Sequence, residues 1–209
     1  MMQSLYTAST GMAAMQTQID TTANNIANVN TIGFKKSRAE FSDLMYQVME
    51  YAGTSTSDVT KSPTGIEVGL GVRSTAINKI FAEGSLKQTD NQLDMAITGR
   101  GFFKLELPDG TEVYSRNGAF KVDENGTMVN SDGYSMVPQV VIPPDATNMS
   151  IGTDGTITVV QPGQTQATQI GQIQTTNFII PAGLPSMGDN LYIETDSSGQ
   201  PVEGTPGVD

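Results

Sequence analysis

Four groupings in this sequence have residue types that could carry chemistry. Gly99-Arg100-Gly101 follows the apolar run Met95–Ile97 and has the start of a phosphate-cradling glycine loop. The next glycine of a dinucleotide fingerprint is missing, since position 104 is Lys, and no crossover-helix pattern follows. Asp123-Glu124-Asn125-Gly126 offers oxygens that suit calcium, but the spacing is not that of an EF-hand loop. A hairpin turn accounts for it more simply. Asp90 and Asp94 resemble the paired carboxylates of glycoside hydrolysis, yet 7 Phe, 6 Tyr and no Trp supply a sugar cleft poorly. Lys35, Lys36 and Arg38 form a small basic cluster, read as the solvated end of a helix, where cations meet the negative end of its dipole. None of these makes a catalytic set, so neither an enzyme nor a metal or cofactor site is expected.

Composition narrows the field further. The 209 residues contain no Cys and no His, which removes Ser-His-Asp and Cys-His catalysis, thiolate or imidazole zinc sites, and disulfides. A formal charge of −11 opposes phosphate backbones, so nucleic acid is not an expected partner. No run of about 18 apolar residues occurs, so no membrane insertion is expected. The N-terminus lacks the charged start and apolar core of a cleavable secretory signal, its first positive charge being Lys35.

The elements that would position any function begin with a helix over residues 4–30. Leu5, Ala8, Met12, Met15, Ile19, Ile26 and Val29 repeat in alternating steps of three and four, with Thr22 at the one polar slot. Ser4 is placed as its N-cap, and Asn30, Thr31 and Gly33 as its stop. Asp20 is the sole charged residue before Lys35, and the face opposite the apolar seam carries Gln3, Thr7, Thr10, Gln16, Thr17, Thr21, Asn24, Asn25 and Asn28. A solvated helix would carry Lys and Glu there; an uncharged polar face suits burial among other helices. The competing reading is an amphipathic helix docked on its own domain.

Residues 34–51 read as a second, shorter helical or irregular segment, and 52–65 as a Gly/Ser/Thr/Pro-rich linker. Beyond it the period falls to two, from Ile66, Val68, Leu70 and Val72 onward. Short apolar runs separated by Pro108-Asp109-Gly110, Asn117-Gly118, Asn125-Gly126, Asp132-Gly133, Pro143-Pro144-Asp145, Asp154-Gly155 and Pro181-Ala182-Gly183 predict antiparallel hairpins. The class is α+β: an N-terminal heptad helix (1–33), a connecting segment (34–65) and a mostly antiparallel β domain (66–209), barrel or sandwich.

The stretch Ala23-Asn24-Asn25-Ile26-Ala27-Asn28-Val29-Asn30-Thr31-Ile32-Gly33-Phe34-Lys35 resembles the N-terminal signature of the flagellar rod and hook protein family. Gly69-Leu70-Gly71-Val72, Phe81-Ala82-Glu83-Gly84-Ser85-Leu86, Leu93 through Phe103, Tyr114 through Phe120 and Asp132-Gly133-Tyr134 follow the same pattern. The chain is most similar to distal rod members, through the extra stretch from Met45 to Gly65 and the segment Ile142 through Thr156.

The resemblance implies a structural subunit that stacks helically into the drive shaft of the flagellar basal body and transmits torque to the hook. The implied partners are copies of itself, proximal rod and hook proteins, the ring proteins around the rod and the flagellar export apparatus, which releases subunits without a cleaved signal. The implied assembly interface is Leu5, Ala8, Met12, Met15, Ile19, Thr22, Asn24, Asn25, Ile26, Asn28, Val29, Gly33 and Phe34. Such proteins pair this helix with a C-terminal heptad helix beyond the equivalent of Gly207-Val208-Asp209. The polypeptide alone is therefore expected to have a monomeric β part and an N-terminal helix that is disordered or associates non-specifically. The alternatives are a proximal rod or hook paralogue, a secreted β-domain module that binds cell wall or host, and a hydrolase using acidic residues alone.

Overall fold

A computed structural model describes residues 2–53, 63–146, 148–163 and 166–207. Most of the linker expected over 52–65 thus lies outside the described residues. One helix precedes sixteen strands, giving the expected α+β class. The elements are α1 (Met2–Ala27), β1 (Ser37–Asp43), β2 (Tyr46–Glu50), β3 (Ile66–Gly69), β4 (Val72–Lys79), β5 (Phe103–Glu106), β6 (Glu112–Ser115), β7 (Lys121–Val122), β8 (Met128–Val129), β9 (Ser135–Val137), β10 (Asn148–Ile151), β11 (Thr156–Val160), β12 (Thr168–Gln172), β13 (Thr175–Asn177), β14 (Ser186–Gly188), β15 (Leu191–Tyr192) and β16 (Val202–Gly204). They fall into two compact units, Met1–Val29 with Lys36–Ile80, and Asn30–Lys35 with Phe81–Asp209.

In the first unit α1 is formed and packs on the antiparallel pair β1–β4, rather than being disordered. Ser4 lies inside the helix instead of capping it. The end comes at Ala27, where Asn28 turns back: its backbone N–H and its side-chain amide both donate to the Asn24 carbonyl, at 3.1 and 3.0 Å. Strands β1 and β2 occupy the segment read as helical or irregular. Across β1 only Ala39 is buried, and β2 pairs with β3, so cross-strand pairing decides a stretch too mixed in pattern to declare its period.

In the second unit the strand order β14-β15-β6-β5-β9-β8-β7 makes an open seven-stranded sheet, with β14 and β7 at its ends; it is not a closed barrel. Consecutive residues point to opposite faces of a strand. Phe103, Val113 and Leu191 accordingly join one core with Leu105, Phe120, Met128, Met136 and Ile157. Phe102, Tyr114 and Tyr192 join a second with Phe178 and Leu184. The second core is an aromatic lattice of edge-to-face pairs, Tyr114–Phe178 at 4.7 Å and Phe102–Phe178 at 5.7 Å among them. Lys104, on β5, donates to Glu112 at 2.7 Å and Glu203 at 2.9 Å, tying β6 and β16 to β5. The two carboxylates hold its ammonium charged well above the usual lysine range.

Asp-Gly and Asn-Gly turns close hairpins as expected at 109–110, 125–126, 132–133 and 154–155. A further tight turn joins β14 to β15 through Asp189 and Asn190, both left-handed at φ 50° and 58°. These are the two non-glycine types that tolerate that region best.

The Tyr114 hydroxyl is buried with no hydrogen-bond partner among the described residues, and burial pushes its phenol up to about 12 from 10.0. A raised phenol stabilises the fold fully below pH 10, and that contribution is lost as pH climbs through about 12. Tyr114→Phe is therefore expected to keep or raise stability at neutral pH by up to about 1 kcal/mol, because no bond is lost and an unpaired polar atom is removed. It should also weaken the alkaline loss between pH 10 and about 12 in urea titrations followed by fluorescence. A loss of more than about 1 kcal/mol at pH 7 would show a hidden partner for the hydroxyl.

Candidate assembly surface

The faces of α1 are arranged in reverse of an ordinary amphipathic helix. Ala14 and Thr21 are buried, and Thr7, Thr10, Thr17, Asn25 and Asn28 are half-buried along the same side. This is the uncharged polar stripe, and it faces the β1–β4 pair. The apolar seam lies opposite. Leu5, Met12, Met15, Ile19, Ile26 and Val29 are all between 62% and 73% exposed, and Ala8 and Thr22 are exposed with them.

The polar stripe can be buried because its hydroxyls are satisfied inside the helix. Thr7 donates to the Gln3 carbonyl at 3.1 Å, Thr10 to Thr7 at 2.9 Å, Thr17 to Ala13 at 3.1 Å and Thr21 to Thr17 at 2.8 Å. Each hydroxyl already has a carbonyl partner one turn back, so docking leaves none of these donors unpaired and costs little desolvation. Gly71 brings the strand close: it sits at φ 122°, and a Cβ there would collide with the Thr10 hydroxyl. That explains the second glycine of Gly69-Leu70-Gly71-Val72. The Val72 N–H reaches the same hydroxyl at 3.5 Å.

The end of the helix is clamped by one side chain. Asn25 Nδ2 donates to the Ser37 carbonyl and Asn25 Oδ1 accepts the Ser37 N–H, both at 2.8 Å. Asn25 thus completes a β-like pair with β1 and works inside the subunit, and Asn28 closes the helix end. Asn24 remains exposed.

Gly33 and Phe34 belong to the other unit. Gly33 is left-handed at φ 75°, with a Cβ there falling 2.8 Å from the Asn117 nitrogen, and Phe34 is half-buried beside it in sequence. The neighbouring Ile32 carbonyl accepts from Asn190 at 2.9 Å, and Lys35 donates to the Ala82 carbonyl at 2.8 Å. Burial and the nearby Arg116 lower the Lys35 pKa. The thirteen-residue signature is therefore a joint, its first half built into one unit and its second into the other. Of the thirteen candidate interface residues, the eight seam positions share one open stripe and the other five do not all join it.

A second open apolar surface was not among the expected residues. The two-stranded ribbon β2–β3 leaves Tyr46, Val48, Met49, Ile66 and Val68 exposed, and Met45 and Tyr51 flank it. Its signal was present in the sequence as alternation over 66–72 continued by Met45–Tyr51. A lone two-stranded ribbon is marginal in water, so apolar side chains on such an element call for cover.

The four chemical groupings have structural employment. Arg116 donates to the Gly99 carbonyl at 2.8 Å and stacks over Phe102 at 5.3 Å, so a guanidinium holds the Gly99-Arg100-Gly101 bend. Asp123 accepts from the Asn125 and Thr127 N–H groups at 2.9 and 2.7 Å, shaping its hairpin turn. Asp94 accepts from Asn91 at 2.8 Å. The basic cluster lies beyond the helix end, not on it: α1 stops at Ala27, Arg38 stands on β1 and pairs with Glu40 at 2.8 Å. Among the described residues no group of three or more acidic side chains is placed to hold a metal, and no helix is long and apolar enough to cross a membrane.

Replacing Asn25 with Ala should cost about 1–2 kcal/mol, since it leaves both Ser37 backbone groups unpaired at a partly buried site. Hydrogen exchange should show faster opening over residues 20–43 and unchanged protection in the seven-stranded sheet. Equal loosening of both units would contradict a clamp confined to the first.

Comparisons with known proteins place the same two regions. Residues 5–35 match the family "Flagella basal body rod protein", and 96–159 match "Flagellar hook protein FlgE/F/G D1 domain". The chain is 48% identical over 208 residues to the flagellar basal-body rod protein FlgG of Buchnera aphidicola subsp. Schizaphis graminum, covering 100% of this chain and 80% of the relative. It is 44% identical to that of Borreliella burgdorferi, over 99% of this chain and 79% of the relative. The flagellar hook protein FlgE of Helicobacter mustelae matches at 41%, over 64% of this chain and 30% of its own length. Matched end to end by rod proteins and only in part by the hook protein, the chain belongs to the flagellar basal-body rod protein family, in its FlgG branch.

Proposed function

We propose that this distal-rod structural subunit of the flagellar basal body builds the shaft through the outward seam of α1, stacking it against other copies and related axial subunits. The single observation that carries this reading is the reversed helix: a polar stripe buried within the subunit and an apolar heptad stripe left in water. Burying an exposed Leu, Ile or Met side chain yields about 1.5–3 kcal/mol, and α1 holds five such side chains on the seam, Leu5, Met12, Met15, Ile19 and Ile26. Heterologous contacts of this kind propagate helically instead of closing, which is what a shaft needs.

The β2–β3 ribbon and the 46–65 stretch it carries supply a second contact that bridges neighbouring subunits and resists bending. Proximal rod proteins below, hook proteins above and the surrounding ring proteins are the further partners, and the flagellar export apparatus delivers the subunit. No step in this role calls for catalysis, a cofactor or nucleic acid.

Ile19→Glu tests the seam. Ile19 is exposed, so the monomer should fold with unchanged circular dichroism, while self-association in sedimentation should weaken at least about tenfold for each ~1.4 kcal/mol lost per contact. Cells relying on the variant should be non-motile. Native-like association would overturn the seam as the interface. Removing residues 46–65 should alter the bending stiffness of rods in electron micrographs, and rods of unaltered stiffness would count against the bridging role.

A further inference from the structure

We propose that Met12 and Met15 form a modification site, at which sulfoxidation by a peroxide in the unassembled subunit blocks association through the α1 seam. The inference rests on the seam being the assembly surface. The chain has 11 Met and no Cys, so thioethers are its only oxidisable sulfur. The fold sorts them by depth. Met128 and Met136 are 0% and 1% exposed in the β core; Met2, Met45, Met49 and Met187 are exposed away from the middle of the seam, and Met12 and Met15, 68% and 62% exposed, stand three residues apart on it. With Ala8, Gln16 and Ile19 they rim a shallow apolar depression over Gly11, where a Cβ would meet nothing within 4 Å.

The chemistry is a two-electron oxygen transfer. A sulfur lone pair attacks one peroxide oxygen, the S–O bond forms and the O–O bond breaks, and the departing hydroxide takes a proton to become water. Sulfur is oxidised and the peroxide reduced. The product is a polar, chiral sulfoxide in place of a flexible apolar side chain. In the free helix that oxygen stays in water, so the fold is indifferent to it. Between two such seams it finds little to bond: seven of the eight seam side chains are apolar, and the Thr22 hydroxyl already donates to the Gln18 carbonyl at 2.8 Å. A buried sulfoxide without a donor opposes the contact.

The full chain, treated with hydrogen peroxide and mapped by mass spectrometry, should gain one oxygen at Met12 and at Met15 while Met128 and Met136 stay unmodified. Self-association should weaken at least about tenfold with unchanged circular dichroism, the loss expected from about 1.4 kcal/mol per contact. Met45 and Met49 are also exposed, at the β2–β3 ribbon, so the comparison is made in a Met45→Leu/Met49→Leu background. There a Met12→Leu/Met15→Leu variant, similar in volume, should associate like its parent and continue to do so after the same treatment. Undiminished association of the oxidised native chain, or equal weakening of the double variant, overturns the inference. Isolated rods separate it from the reading beneath it. If Met12 and Met15 oxidise as fast in rods as in free chains, the seam is not the interface. If rods protect them while sulfoxide-bearing subunits still associate, only the present inference falls.

Discussion

A helix with two different stripes can give only one of them to its own domain, and in this chain the choice is made by threonine hydroxyls that bond to the carbonyls one turn back. Thr7, Thr10, Thr17 and Thr21 thereby enter the contact with their donors already paired inside the helix. With Ala14 between them and Gly71 opposite, the stripe is narrow enough for close backbone approach. Leu5, Met12, Ile19 and Ile26 are wider and would hold α1 farther from β1 and β4. Everything external about the first unit follows from that preference, because the docked stripe leaves the heptad seam facing away.

The second unit is organised on the opposite principle, with both faces of its main sheet covered by its own chain. Alternating pairs such as Phe102 and Phe103, or Leu191 and Tyr192, feed two cores at once. Polar links then fix the edges: Lys104 between Glu112 and Glu203, and Arg116 on the Gly99 bend. Such a body keeps its shape without neighbours. The division of labour is between a unit that finishes its own packing and one that leaves it open.

Much of this was legible from residue order. The 3-4 spacing located α1, and four Asp-Gly and Asn-Gly turns located hairpins, whereas Asn117-Gly118 lies between β6 and β7, which do not pair. What stayed hidden has identifiable causes. Which stripe docks depends on hydroxyl rotamers, invisible in a pattern that scores Thr as polar. β1 and β2 carry mixed residues whose strand state comes from partners more than thirty and about twenty residues away, not from local periodicity. Asn25 stood among the candidate interface residues through the family resemblance, yet its amide matches the Ser37 backbone. Gly33 was read as a helix stop, whereas it serves a close approach to Asn117 after the helix has ended. The turn at Asp189-Asn190 lacks the glycine that marks the others, and so gave no signal.

Asp20 is the one charged residue of α1, and the seam itself carries none. A contact made through such a face is scarcely screened by dissolved electrolyte and depends little on ionic strength. Its strength follows the thermal behaviour of apolar hydration instead, which weakens toward the freezing point.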